Sequence, residues 1–120
     1  MTQKNALDTA REYYHAWSGG DFEAAMQLVA PDIVCHAPAG QVEGAQAFRA
    51  FMGPFAARVQ SSSLVAAYGD DEQAVLIYET ATPLVADAPG AELHRVTNGR
   101  ITELRLLFDR LPFHLARNTA

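Results

Sequence analysis

"LHRVTNGRITELRLLFDRLPF", residues 93–113, holds the clearest fold signal in the chain. Asn98-Gly99 reads as a two-residue turn, because type I′ hairpins need positive φ at both central positions and Asn-Gly tolerates it. Counting outward from that turn pairs Thr97 with Arg100, Val96 with Ile101, His94 with Glu103 and Glu92 with Arg105. In an unbroken ladder, Leu93, Leu104, Leu106 and Phe108 then share one face. Glu92, His94, Val96, Ile101, Glu103, Arg105 and Leu107 share the other. The Leu-rich face is expected to meet helices, and the mixed face to look toward solvent or a second subunit. The pairs His94–Glu103 and Glu92–Arg105 then read as surface complementarity. A bulge between the strands would flip the parity and turn these groups into a site.

Upstream of the hairpin, SLVAAYGDDEQAVLIYETATPLV reads as two more strands joined at GDDE. Glu79 there shares the parity of Val75 and Ile77. It is a buried acid of raised pKa if that face is inward, and an exposed or interfacial residue if it is outward.

The first half reads helical. Ala6, Ala10, Tyr13 and Trp17 form one stripe at helical spacing, closed by Gly19-Gly20. Asp21 is a natural N-cap for a short helix, FEAAMQLVA, stopped by Pro31. DIVCHAP, 32–38, is a short strand. A third helix is expected over 45–58, with Phe48, Phe51, Met52, Phe55 and Val59 on one face. Pro54 within it predicts a kink or a break. Helices followed by a run of strands argue an α+β fold, with helices packed on one face of a sheet.

With 120 residues, 49% of them hydrophobic and 19% charged, the chain is expected to form one globular domain over 1–120. Nine basic against fourteen acidic residues give a net charge of −5, which argues against nucleic-acid and anionic-membrane partners. Cys35 is the lone cysteine. The N-terminal MTQKNALD is polar, without the apolar core of a secretory signal, so a cytoplasmic setting is expected. His15, His36, His94 and His114 show no metal-ligand spacing, and no glycine-rich nucleotide fingerprint occurs; neither metal nor cofactor is expected.

The stretches "YYHAWSGGDFEAAMQLVAPDIVCHAPAG" (13–40), "GAQAFRAFM" (44–52) and "VTNGRITELRLLFD" (96–109), in this order and spacing, resemble the SnoaL-like group of the nuclear transport factor 2-like superfamily, which includes ketosteroid isomerase. The resemblance implies a curved antiparallel sheet wrapped around N-terminal helices into a cone, of the cystatin-like kind. It also implies an apolar pocket in the cone's mouth, a small apolar ligand and a homodimer. On the isomerase pattern Tyr13 takes the place of the oxyanion-hole tyrosine. The proton-moving aspartate falls at Ala37, and the second acid at Leu93. The acid/base of SnoaL-type cyclases falls at Leu106. The chain thus resembles the family's container without the isomerase acid pair, and useful ketosteroid isomerase activity is not expected.

Three residues remain as candidate catalytic groups. His36 ends the first strand and could act as a general base or be a surface histidine; strand alternation with Ala37 turns it away from the pocket. Asp109 is either an acid at the cone's mouth or a strand-terminating turn. Tyr13 is either a donor to substrate or core. Tyr14, Trp17, Phe51, Phe55, Leu93 and Phe108 are the candidate ligand-binding residues, with plain core packing as the alternative for the aromatic ones. Two functions stand side by side: a ligand-binding protein, or a cofactor-independent isomerase, cyclase, dehydratase or hydrolase.

Overall fold

The computed structural model describes residues 5–118. Asn5 caps α1 (Ala6–Ser18), its side chain accepting from the Asp8 N–H at 2.8 Å. The helix buries Ala6, Ala10, Tyr13, Tyr14 and Trp17, the stripe read from spacing plus its Tyr14 neighbour. Asp21 caps α2 (Phe22–Met26) through the Ala24 N–H at 3.0 Å. That helix is shorter than expected. β1 (Val29–Ala37) already begins at Val29, so Pro31 lies inside a strand, where the pairing of β1 shifts register between Val29 and Val34.

β2 (Gly40–Glu43), unanticipated, folds back on β1. α3 (Ala45–Arg58) continues through Pro54 unbroken and buries Phe48 and Met52. Four strands follow: β3 (Ser61–Gly69), β4 (Gln73–Ala81), β5 (Gly90–Thr97) and β6 (Arg100–Phe108). A last helix, α4 (Leu111–Asn118), stands where the sequence suggested only a turn. The strands form one curved sheet in the order β2-β1-β6-β5-β4-β3. Every neighbouring pair is antiparallel except β1–β6, which is parallel. The α1 helix lies against β3, β4 and β5, and α3 against β1 and β2, so the helices cover one face.

The β5–β6 hairpin turns as expected. Asn98 and Gly99 have φ of 53° and 78°, and Thr97↔Arg100 and Val96↔Ile101 pair. Beyond them the ladder slips. Thr102 is an extra residue on β6, so Arg95 pairs with Glu103, His94 with Leu104, Leu93 with Arg105 and Glu92 with Leu106. The Thr102 hydroxyl donates to the Arg95 carbonyl at 3.3 Å. The bulge joins two halves of opposite parity. Leu104, Leu106 and Phe108 face inward as expected, but so do Glu92, His94, Val96 and Ile101. Leu93 is the correction on the other side. It shares the outer face with Arg105 and Val75, not the helix-covered face.

The core is dense in aromatics. Trp17, 2% exposed, meets Tyr14, Tyr78 and Phe55 at ring-centroid distances of 5.2, 5.4 and 6.1 Å. Truncating a tryptophan so placed costs about 3–5 kcal/mol.

Candidate functional site

Alternation along β4 sends Leu76, Tyr78 and Thr80 inward, while Val75, Ile77 and Glu79 look outward. Tyr78 therefore sits beneath the helices, where its ring lies over Gly90. A Cβ at residue 90 would stand 2.9 Å from the Tyr78 ring, so only glycine leaves that ring its place. The Tyr78 hydroxyl donates to Glu92 Oε2 at 2.5 Å. Glu92 Oε1 is 2.8 Å from His94 Nε2. Glu92 and His94 are 2% and 0% exposed.

A buried carboxyl group is costly unless its oxygens are partnered. Here both are, one by a phenol and one by an imidazole. One exchangeable proton lies between Glu92 and His94, on Nε2 or on the carboxyl group. His94 Nδ1 has no hydrogen-bond partner among the described residues, nor has the Tyr13 hydroxyl. The Tyr13 and His94 rings meet edge to face at 5.4 Å. Burial holds the Tyr13 and Tyr78 phenols well above their ordinary pKa of 10.0, and the nearby Glu92 charge adds to both. Burial, then Glu92, pushes the Cys35 thiol up to about 12.

Tyr78 also forms part of a cavity of about 760 Å³. Phe51, Met52, Phe55 and Arg58 of α3 form one wall. Thr80, Thr82, Pro83, Leu84 and Ala88 form another, Leu106 and Phe108 a third, and Phe113 and Arg117 of α4 reach its rim. The size suits a small organic molecule, and the lining is mostly apolar with few polar groups. Glu92 and His94 lie deeper along β5, paired with Leu106 and Leu104 respectively. Tyr78 is thus the link between the cavity and the buried pair.

The residues singled out from sequence scatter. Phe51, Phe55 and Phe108 line the cavity. Tyr14 and Trp17 pack in the core beside Tyr78, and the Tyr14 hydroxyl lies 2.6 Å from Ser62 Oγ. Leu93 is on the outer face, away from the cavity. His36 also points outward, where Nε2 meets Glu103 Oε2 at 3.0 Å. Arg95 Nε stands 3.6 Å from the same carboxylate. Asp109 is exposed and accepts from the Leu111 N–H at 3.0 Å, holding the start of α4. Tyr13 is wholly buried beside His94. The structure does not bring His36, Asp109 and Tyr13 together. Glu79 is exposed on the outer face, where a hydrogen bond with Asp87 raises its pKa.

Tyr78, Glu92 and His94 were missed as a set because the face assignment assumed an unbroken ladder. The signal was available: Ile101 and Leu104 are three apart, which in an unbroken strand puts two apolar residues on opposite faces. Among the described residues, no group of three or more His, Cys, Asp or Glu side chains is placed to hold a metal ion.

A curved sheet closed over by helices, with an apolar cavity at one end, defines a cone-shaped α+β domain of the cystatin-like kind. Residues 10–104 match the model of the SnoaL-like domain, and the chain belongs to that family. It is similar to a protein of known crystal structure from Kribbella flavida, with 52% identity, a TM-score of 0.94 and coverage of 98% of this chain and 97% of that one. An NTF2-like protein of unknown function from Cytophaga hutchinsonii shares the fold at 21% identity and a TM-score of 0.76, over 95% of this chain and 99% of that one. A putative SnoaL-like polyketide cyclase from Mesorhizobium loti does so at 22% identity and a TM-score of 0.66, over 82% and 95%. No curated protein matches the chain. No helix among the described residues is long and apolar enough to cross a membrane.

Proposed function

We propose that this domain binds a small, mostly apolar organic molecule in the 760 Å³ cavity, with Tyr78 as the polar group at its inner end. The observation that carries this reading is the double position of Tyr78, which is cavity wall and hydrogen-bond donor to buried Glu92 at once. A cavity without such a group gives an apolar ligand no orientation; one fixed polar contact does. The expected setting is the cytoplasm, where Cys35, buried and unpaired, stays a thiol.

The Tyr78–Glu92–His94 chain favours a second reading, a cofactor-independent acid–base enzyme acting on the same ligand. A Glu92 carboxyl group that carries its proton on Oε2 and accepts from His94 Nε2–H through Oε1 becomes a donor toward Tyr78. The phenol can then donate to a ligand oxygen. In this reading Tyr78 touches the substrate, and Glu92 and His94 act through it.

Fluorescence titration with the neutral probe N-phenyl-1-naphthylamine tests the binding reading. Saturable binding to the natural chain is expected, with strong loss in Ala88→Phe, which fills the cavity from its wall. Equal affinity in the two proteins, both folded by circular dichroism, would place the probe elsewhere and sink the proposal.

A further inference from the structure

The charge of the cavity runs against the charge of the chain. The protein carries fourteen acidic residues against nine basic ones. Yet the ionisable cavity-lining residues are Arg58, Arg117 and Tyr78, with no carboxylate among them. The acids next in sequence to the lining are engaged elsewhere. Asp87, beside Ala88, is exposed, is not part of the lining, and stands near Glu79 of the outer face, whose pKa it raises. Asp109, beside Phe108, holds the first turn of α4. Arg58 has no ion-pair or hydrogen-bond partner among the described residues. Arg117 donates from Nε to the Phe113 carbonyl at 3.3 Å, and its guanidinium has no carboxylate partner among them.

Both arginines are exposed and belong to different helices, α3 and α4. Among the other exposed arginines, Arg49 pairs with Glu23 and Arg95 with Glu103, while Arg11, Arg100, Arg105 and Arg110 have no carboxylate within ion-pair distance among the described residues but do not line the cavity. Arg58 and Arg117 line the same mostly apolar cavity, and no carboxylate among the described residues lines it with them. A guanidinium fits a planar carboxylate, and two of them at the edge of an apolar cavity define one polar end for a ligand.

From this we infer that the ligand is an amphipathic carboxylate: an apolar body that fills the cavity toward Tyr78, and one anionic group held by Arg58 and Arg117. The inference rests on the small-molecule reading above and deepens it. A straight-chain acyl carboxylate and an aryl carboxylate share this chemistry.

The test is displacement of N-phenyl-1-naphthylamine from the full chain by decanoate, 2-naphthoate, decan-1-ol and decyltrimethylammonium. Decanoate is expected to compete about tenfold better than decan-1-ol, the size of two charge-assisted contacts at a partly exposed rim. The ammonium compound should compete worst. The carboxylate-to-alcohol ratio should collapse toward one in Arg58→Gln/Arg117→Gln, and should narrow in the natural chain at high salt, a reading that needs no variant. The better of decanoate and 2-naphthoate tells an acyl from an aryl body. A probe that binds, but is displaced equally by acid and alcohol or best by the cation, overturns this inference and leaves the small-molecule reading standing. A neutral probe that does not bind at all overturns both.

Discussion

His94 stands directly across from Leu104, one residue beyond the Glu103 that an unbroken hairpin would give it. That slip, made at Thr102, is why a histidine and a glutamate that look like surface residues lie wholly inside the protein. Glu103 stays outside and pairs with His36 instead. The two glutamates of the hairpin therefore have opposite worth.

Glu92→Ala should cost about 3–5 kcal/mol, because it leaves buried His94 and Tyr78 without their shared acceptor. Glu103→Ala should cost about 0–1 kcal/mol, as exposed ion pairs do. Urea unfolding midpoints compare them. The triple change Tyr78→Phe/Glu92→Leu/His94→Leu, which removes the whole polar chain, should restore most of what Glu92→Ala loses. Equal costs at 92 and 103 would mean the bulge is misplaced.

The hydrogen bond from His36 holds the Glu103 carboxyl below its ordinary value of 4.5, outweighing the opposing effect of burial. A carboxyl with a lowered folded pKa stabilises the fold above its unfolded pKa, and that contribution fades as pH falls through the folded value. Melting curves of the natural chain and Glu103→Gln should therefore differ at neutral pH and converge in acid below the ordinary carboxylate range. The separation should be small, since the pair is solvent-screened. A gap that widens on acidification would reverse the sign.

Cys35 is fully buried and its thiol is pushed up to about 12, so the reactive thiolate is scarce at mild alkaline pH. Ellman's reagent at that pH should leave the native protein unlabelled and modify one thiol per chain in denaturant. Fast native labelling would show that β1 opens.

The outer face of the sheet exposes Tyr68, Val75, Ile77 and Leu107, with exposures between 41% and 75%. Val96 and Ile101, expected there from the sequence, are inside. We expect a homodimer through this strip, since an apolar patch on an outer sheet face marks an interface. Sedimentation should give twice the 13.0 kDa chain mass, and Ile77→Glu/Leu107→Glu should give the monomer. A natural chain that sediments as monomer at micromolar concentration would count against it.

Much of the fold was legible because its signals are local. Asn98-Gly99 sets a turn by φ alone, Asp21 caps the helix that follows it, and the α1 stripe repeats at helical spacing. The candidate site was not legible, because it depends on parity, and parity is a sum along the whole strand. One extra residue at Thr102 changed the sign for half the hairpin. Helix α4 was missed for a related reason: Asp109-Arg110-Leu111-Pro112 opens a turn and a helix with the same residues, Asp109 serving both as strand end and as cap, and Pro112 being tolerated in a first helical turn.

The most direct test of the account follows the protein's own amide and side-chain resonances by two-dimensional NMR as decanoate or N-phenyl-1-naphthylamine is added. If the ligand enters the cavity above the buried chain, the shifts should centre on Phe51, Phe55, Tyr78, Leu106 and Phe108, extend to the His94 ring, and spare His36 and Arg105 on the outer face. Shifts confined to the outer face, with Tyr78 and His94 unmoved at saturation, would contradict it.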